Sequence, residues 1–110
     1  MHWIAEVSTD DPAAMRDKHA LERFLIQLTE ALGLKRVHPP VLQQDGNGDV
    51  RGVVLLAASH ASAHTDIAHG LVFVDLFSCV PFERHQARDI LLQTWPGTLL
   101  VDRIVARGDE

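Results

Sequence analysis

The amino-acid sequence predicts an α+β fold, a two-layer sandwich with a mainly antiparallel sheet and two helices on one face. Three observations lead to this prediction: two segments with apolar residues at helical spacing, several short segments rich in β-branched residues, and the order in which they alternate. That order is strand, helix, three or four strands, helix and strand, which is typical of helices packed on one side of a sheet. The 110 residues fit one domain, 1–110, without a repeat or linker.

The first third of the chain predicts a strand and a long helix. Residues 2–8 alternate apolar and polar side chains, which is typical of a strand with one buried face. Asp10-Asp11-Pro12 is typical of a helix start, because an acidic side chain caps free amides and proline lacks only an amide that the first turn leaves unpaired. Gly33 is the predicted helix end. One apolar stripe lies between them, formed by Leu21, Phe24, Leu25, Leu28 and Leu32.

The remaining residues predict a sheet with one more helix. Residues 37–43 indicate a strand that is irregular at Pro39-Pro40, and residues 45–49 are dense in turn formers. Four consecutive apolar residues within 52–58 favour a strand buried on both faces. Further strands are predicted at 71–79 and 98–106. They flank a helix that opens at Pro81 and ends at Trp95-Pro96-Gly97.

Charge and composition exclude several classes of function. Ten basic against fifteen acidic residues give a net charge of −5, which argues against nucleic acid or an anionic membrane as the main partner. The single cysteine permits no intramolecular disulfide, and the first residues lack a signal-peptide pattern. We therefore expect a cytoplasmic protein. Because so short a chain builds a small core, we also expect a homodimer.

Residues with reactive side chains are concentrated in residues 57–65 and 74–79. Small residues flank Ser59 at the end of a predicted strand, which allows a backbone or a substrate to approach closely. If residues 60–65 are extended, His60 and His64 line one face, and a bend would be needed to turn Ser59 towards His64. Cys79 ends a neighbouring predicted strand. We expect a hydroxyl, an imidazole and a thiol to meet at one end of the sheet.

Each of these residues also has a purely structural explanation. A serine often ends a strand, and a lone cysteine is more often a small buried apolar residue than a reactive thiol. The histidines resemble zinc ligands in type, but an extended segment does not fix a third or fourth ligand. We therefore expect no metal. The functional interpretation depends on the pattern that these residues form together.

Three separated segments resemble the S-adenosylmethionine decarboxylase proenzymes of bacteria and archaea. That family carries Glu-Ser-His, then His-Thr-Trp-Pro-Glu, and later Asp-(Leu or Val)-Phe-Thr-Cys. The present sequence has Ala58-Ser59-His60, then His64-Thr65, and later Asp75-Leu76-Phe77-Ser78-Cys79, at matching spacing. His2-Trp3-Ile4-Ala5-Glu6 resembles the family's opening strand, so the resemblance extends over essentially the whole chain.

The resemblance implies self-cleavage between Ala58 and Ser59, which converts Ser59 into a pyruvoyl cofactor. His64 would be the base that promotes ester breakdown, and Cys79 would return a proton to the decarboxylated carbon. The pyruvoyl ketone would form a Schiff base with the amine of a small-molecule substrate in polyamine metabolism. The resemblance also implies a homodimer with active sites near its interface.

Four departures from the family pattern bear on the substrate. Ala58 replaces a glutamate, Asp66-Ile67-Ala68 replaces Trp-Pro-Glu, Arg51 replaces a serine that assists cleavage, and residues 44–49 lack an aromatic residue. The resemblance implies S-adenosylmethionine as the substrate, but these departures favour another amino-acid-type substrate, with Arg51 and Asp66 as candidate substrate-binding residues. The alternative is an uncleaved pseudoenzyme that acts as a binding or regulatory subunit. A metal- or ligand-binding module without decarboxylase chemistry is a third possibility.

Overall fold

The computed structural model describes residues 1–108, and it confirms the α+β fold. One six-stranded sheet has the order β2-β3-β4-β5-β1-β6, with antiparallel pairing throughout. A 3-10 turn at Ile67–His69 joins β4 to β5. The regular elements are β1 His2–Ser8, α1 Pro12–Arg16, α2 Lys18–Ala31, β2 Val41–Gln44, β3 Val50–Leu55, β4 His60–Asp66, β5 Leu71–Phe77, α3 Arg84–Thr94 and β6 Thr98–Val105.

The two faces of the sheet differ in burial. On the face beneath the helices, alternate residues of β1, β3, β4 and β5 are buried and form one core with α2 and α3. We call the opposite side the open face, because its side chains point away from the helices and are partly or fully exposed. Its central members are Arg51, Val53, Leu55, His60, Ser62, His64, Phe73, Asp75, Phe77, His2, Ile4 and Glu6.

The predicted first helix is divided in two, so the prediction of one continuous helix was wrong. Asp11 caps α1 as expected, with its carboxylate 3.1 Å from the Ala14 amide. Asp17 has an extended backbone, and its side chain accepts hydrogen bonds from the amides of His19 and Ala20. An aspartate that bonds nearby amides in this way favours a new helix start over an uninterrupted helix. The second helix ends where Gly33 adopts a positive φ of 70°, as predicted.

The strand expected at residues 37–43 is shorter in the structure. Only Val41–Gln44 pairs with β3, because Pro39 and Pro40 lack the amide protons that a sheet ladder needs. Arg36 instead forms an isolated antiparallel bridge with Leu56. β2 and β3 therefore form a hairpin, whereas the residues before β2 pair with the chain only at Leu56, just after β3.

Two further predictions were wrong in detail. The strand predicted at 52–58 spans Val50–Leu55 and is buried on one face only, since Val53 and Leu55 are 38% and 55% exposed. The helix predicted to open at Pro81 begins at Arg84. The Ser78 hydroxyl donates to the Val80 carbonyl at 2.6 Å and holds residues 78–80 in a turn, and Glu83 is the extended N-cap residue of α3. Within residues 1–108, no helix is long and apolar enough to cross a membrane.

Candidate active site

Ser59 and Cys79 lie together at one end of the sheet. The pairing of β4 with β5 sets His60 opposite Phe77, so the residue just before β4 meets the residues just after β5. The Cys79 amide donates a hydrogen bond of 2.9 Å to the Ser59 hydroxyl oxygen. On its other side, the Ser59 carbonyl accepts from the Leu56 amide at 2.9 Å, which closes the turn between β3 and β4. The serine backbone and side chain are therefore both held in place.

The Cys79 side chain reaches the peptide bond that precedes Ser59. Its thiol donates to the Ala58 carbonyl oxygen with a distance of 3.0 Å between sulfur and oxygen. One residue thus contacts both groups that a serine-dependent backbone cleavage would join, the hydroxyl and the preceding carbonyl. A donor on the carbonyl oxygen withdraws electron density from its carbon, and this makes the carbon more susceptible to attack. Cys79 is exposed, so the site is open to solvent.

His64 lies at the other end of β4. Four residues of extended strand separate it from His60, which puts the two Cα atoms about 13 Å apart. Its ring stacks on Phe73, with centroids 4.8 Å apart and an angle of 25° between the planes. The bend that would turn Ser59 towards His64 is absent from β4, which is continuous from His60 to Asp66. Within one chain, the expected meeting of the three side chains therefore holds for the serine and the cysteine but not for the histidine.

Arg51 and Asp66 occupy different places on the sheet. Arg51 is the direct neighbour of His64 across β3 and β4, and its guanidinium donates to the Gln43 amide oxygen at 2.8 Å. The Asp66 carboxylate holds the turn after β4, where it contacts the backbone amide of His69 at 3.3 Å and the imidazole at 2.8 Å. Arg51 thus lies beside His64, whereas the Asp66 carboxylate is already bonded to His69. Neither residue contacts Ser59 in the same chain.

A group of side chains beside Ser59 and Cys79 was not predicted from the sequence. The Phe77 ring lies between His60 and His2, with centroid distances of 5.7 Å and 6.1 Å. The Arg107 guanidinium lies 5.5 Å from the centre of the same ring. The alternation within residues 71–79 predicted which face of the strand Phe77 lies on, but no local feature of the sequence indicated that β1 pairs with β5. Within the described residues, no three His, Cys, Asp or Glu side chains are close enough together to hold a metal ion.

Comparisons with known proteins agree with this architecture. The family described as S-adenosylmethionine decarboxylase matches residues 1–107. The S-adenosylmethionine decarboxylase proenzyme of Hydrogenobaculum is 28% identical over 109 residues, which cover 98% of this chain and 81% of that protein. The proenzyme of Archaeoglobus fulgidus is 31% identical over 78 residues, which cover 71% of this chain and 69% of that protein.

A solved structure shares the fold. The crystal structure of the adenosylmethionine decarboxylase from Aquifex aeolicus superimposes with a TM-score of 0.74 at 23% identity. The match covers 99% of this chain and 94% of that one. Because the family match spans nearly the whole chain, the chain belongs to the S-adenosylmethionine decarboxylase family.

Proposed function

We propose that this protein is a pyruvoyl-dependent decarboxylase that generates its own cofactor by cleaving the chain between Ala58 and Ser59. The observation that supports this proposal most directly is the pair of contacts made by Cys79, one to the Ser59 hydroxyl oxygen and one to the Ala58 carbonyl oxygen. The pyruvoyl ketone supplies an electron sink for the loss of carbon dioxide from an amino-acid-type substrate.

Cleavage starts when the Ser59 oxygen attacks the Ala58 carbonyl carbon. The carbon–nitrogen bond of the peptide breaks, the serine nitrogen takes up the hydroxyl proton, and an ester links the two residues. The Cys79 amide orients the hydroxyl oxygen, and the Cys79 thiol stabilises negative charge on the carbonyl oxygen. A base then removes the Cα proton of residue 59, the Ala58 carboxylate leaves, and hydrolysis releases ammonia. An imidazole is the side chain that most often serves as a general base.

That base is His64, and we propose that it comes from a second copy of the chain. A proton transfer requires the two groups to be about 3 Å apart, whereas about 13 Å of strand separates His60 from His64 in one chain. Two copies that pack through their open faces in opposite directions can place His64 of the partner subunit over Ser59. The open face also carries exposed apolar side chains that such packing would cover, at Val53 and Leu55. The homodimer would then contain two composite sites.

The substrate would be a small amine that is also a carboxylic acid. Ala58 and Ala68 offer no carboxylate for ribose hydroxyls or a sulfonium charge, so we propose an amino-acid-type substrate other than S-adenosylmethionine. Of the two candidate substrate-binding residues, Arg51 is the better placed, because it accompanies His64 on the neighbouring strand. Asp66 remains a candidate through its position on the same face, although its carboxylate already holds His69.

An uncleaved pseudoenzyme is the second candidate. Arg51 stands where the family has a serine that assists cleavage, and its side chain points to the open face with only Gln43 as a hydrogen-bond partner within residues 1–108. In this function the open face would bind another protein as a regulatory subunit, and Ser59 would stay an ordinary serine.

Intact mass under denaturing conditions separates the two functions. A cleaving protein gives fragments 1–58 and 59–110, the second with a pyruvoyl group in place of Ser59. Ser59→Ala is the control and should give only the full-length mass. A wild-type chain that keeps its full mass after long incubation would contradict the decarboxylase and favour the pseudoenzyme.

A further inference from the structure

The side chains around Phe77 form a defined cluster on the open face. We call it the Phe77 cluster, and its members are His2, His60, Phe77 and Arg107. In the sheet, the backbone of Phe77 pairs with His60 on one side and with His2 on the other. Arg107 follows β6 and places its guanidinium against the ring of Phe77, 5.5 Å from the centroid. A cation held against an aromatic face in this way is fixed in position at little entropic cost.

Within residues 1–108, Arg107 uses one of its five N–H donors in a hydrogen bond. A guanidinium can only donate, so Nδ1 of His2 accepts from Nη1 of Arg107 at 3.2 Å. Nε2 of His2 then carries the ring proton and donates to Asp75 at 3.0 Å. Asp75, the carboxylate closest to the cluster along the sheet, is thus bound through His2 and makes no direct contact with the arginine.

Arg107 is one of the arginines that have no carboxylate partner among the described residues. Four other arginines lie within 4.0 Å of an aspartate or glutamate, namely Arg23, Arg36, Arg84 and Arg88. Arg107 is also exposed, so its free N–H groups can reach an incoming anion. A guanidinium with these properties matches the planar geometry of a carboxylate.

The cluster borders the proposed reaction centre. Phe77 precedes Cys79 by two residues, and its backbone pairs with that of His60, the residue that follows Ser59. Cys79 contacts Ser59 directly. A substrate attached at residue 59 would therefore lie within one side-chain length of the Phe77 ring and the Arg107 guanidinium.

We propose that the Phe77 cluster is a carboxylate-binding subsite and that the substrate is an amino acid with an anionic side chain. The decarboxylation of this substrate rests on the proposed function, whereas the binding of an anion rests on the Phe77 cluster itself. Arg107 would bind the side-chain carboxylate, and Phe77 would contact the carbons between the two ends of the substrate. A second guanidinium, that of Arg51 in the partner subunit, would approach together with His64 of the partner subunit and favour the same charge.

The carboxylate that Arg107 holds must be the one that remains in the product. A fixed cation on the departing carboxylate would stabilise the substrate more than the transition state, in which that charge disperses, and this would slow the reaction. The α-carboxylate is therefore an unsuitable partner for Arg107, whereas a side-chain carboxylate is suitable. A basic or sulfonium side chain would be repelled from the same position.

The first test uses the uncleaved Ser59→Ala chain and succinate, a dicarboxylate without an amine. Nuclear magnetic resonance titration should shift the imidazole signals of His2 and His60. Arg107→Gln should weaken succinate binding about tenfold or more, because a charge-assisted hydrogen bond is lost. Arg103→Gln is the matched control, since Arg103, which lies on β6, is exposed like Arg107 and also forms no ion pair within residues 1–108. If the Ser59→Ala chain binds succinate equally well with and without the Arg107→Gln substitution, the proposed subsite is wrong.

The second test uses wild-type protein that has cleaved itself. Borohydride is added in the presence of L-aspartate, L-glutamate, L-ornithine or S-adenosylmethionine, and the mass of fragment 59–110 reports the trapped substrate. Trapping of the two acidic amino acids, reduced in Arg107→Gln and retained in Arg103→Gln, would support the inference. Preferential trapping of ornithine or S-adenosylmethionine would overturn it. If the chain never cleaves, the decarboxylase fails while the succinate titration still decides whether the anion site exists.

Discussion

Mixing two inactive variants would show whether Ser59 and His64 act across a dimer interface. Ser59→Ala removes the nucleophile, and His64→Ala removes the base, so each variant alone should stay uncleaved. In a dimer that contains one copy of each, the serine of one chain faces the histidine of the other, and one complete site is restored. Random pairing of equal amounts puts about half of the His64→Ala chains in mixed dimers. About half of all His64→Ala chains should therefore be cleaved.

The assay follows each variant by its own mass. Ser59→Ala is produced with nitrogen-15, the two variants are co-refolded, and denaturing mass spectrometry is recorded over time. Only the unlabelled chains should be cut, because the labelled chains have no serine at residue 59. A mixture that stays uncut, although native mass spectrometry detects mixed dimers, would refute the composite site. If the His64→Ala variant alone is cleaved as fast as the wild type, the role of the histidine as the base is refuted.

Three further substitutions test individual contacts. Cys79→Ala should slow cleavage about tenfold, because one hydrogen bond to the reacting carbonyl is lost, and Cys79→Ser should retain more of the rate in the same mass assay. Gly52→Ala should lower the free energy of unfolding by about 1–3 kcal/mol in urea denaturation, since its Cβ would lie 2.5 Å from a leucine side chain, whereas Gly46→Ala, with nothing within 4 Å, should not. Leu55→Asp should abolish dimers in sedimentation equilibrium, because Leu55 is 55% exposed on the open face and a charge there opposes apolar packing. Unchanged association of the Leu55 variant would count against the open face as the interface.

Local signals predicted the elements of this fold well. The alternation over residues 2–8 gave β1 with its observed bounds, and Gly33 ended the helix as expected. These predictions succeeded because strand alternation and a glycine C-cap depend on neighbours in the sequence. Asp17 was missed because no glycine or proline marks a break between Pro12 and the apolar stripe that begins at Leu21. Its effect depends on a backbone conformation that the stripe does not reveal.

The candidate site was predicted only in part, because it depends on strand pairing. The meeting of Ser59 with Cys79 followed from the expectation that the two strands are neighbours. The distance of His64 from this point follows from strand geometry, since an extended residue advances about 3.3 Å and a continuous β4 allows no return. The contact of Arg107 with His2 was beyond prediction, because it needs both β6 and β5 to flank β1. The sequence also predicts that the last four residues fray, and two of these, 109–110, lie outside the described residues.

The exposed half of β3 links assembly to cleavage in the proposed dimer. Four consecutive apolar residues predicted burial on both faces, yet Val53 and Leu55 remain exposed in one chain. A second open face would bury them, and the same face carries His64, so the contact that removes apolar surface from water would also complete the site. Cleavage should therefore slow on dilution once the chains dissociate, which intact mass measured over a concentration series would detect. A rate that stays constant from the dimer to the monomer would mean that each chain supplies its own base.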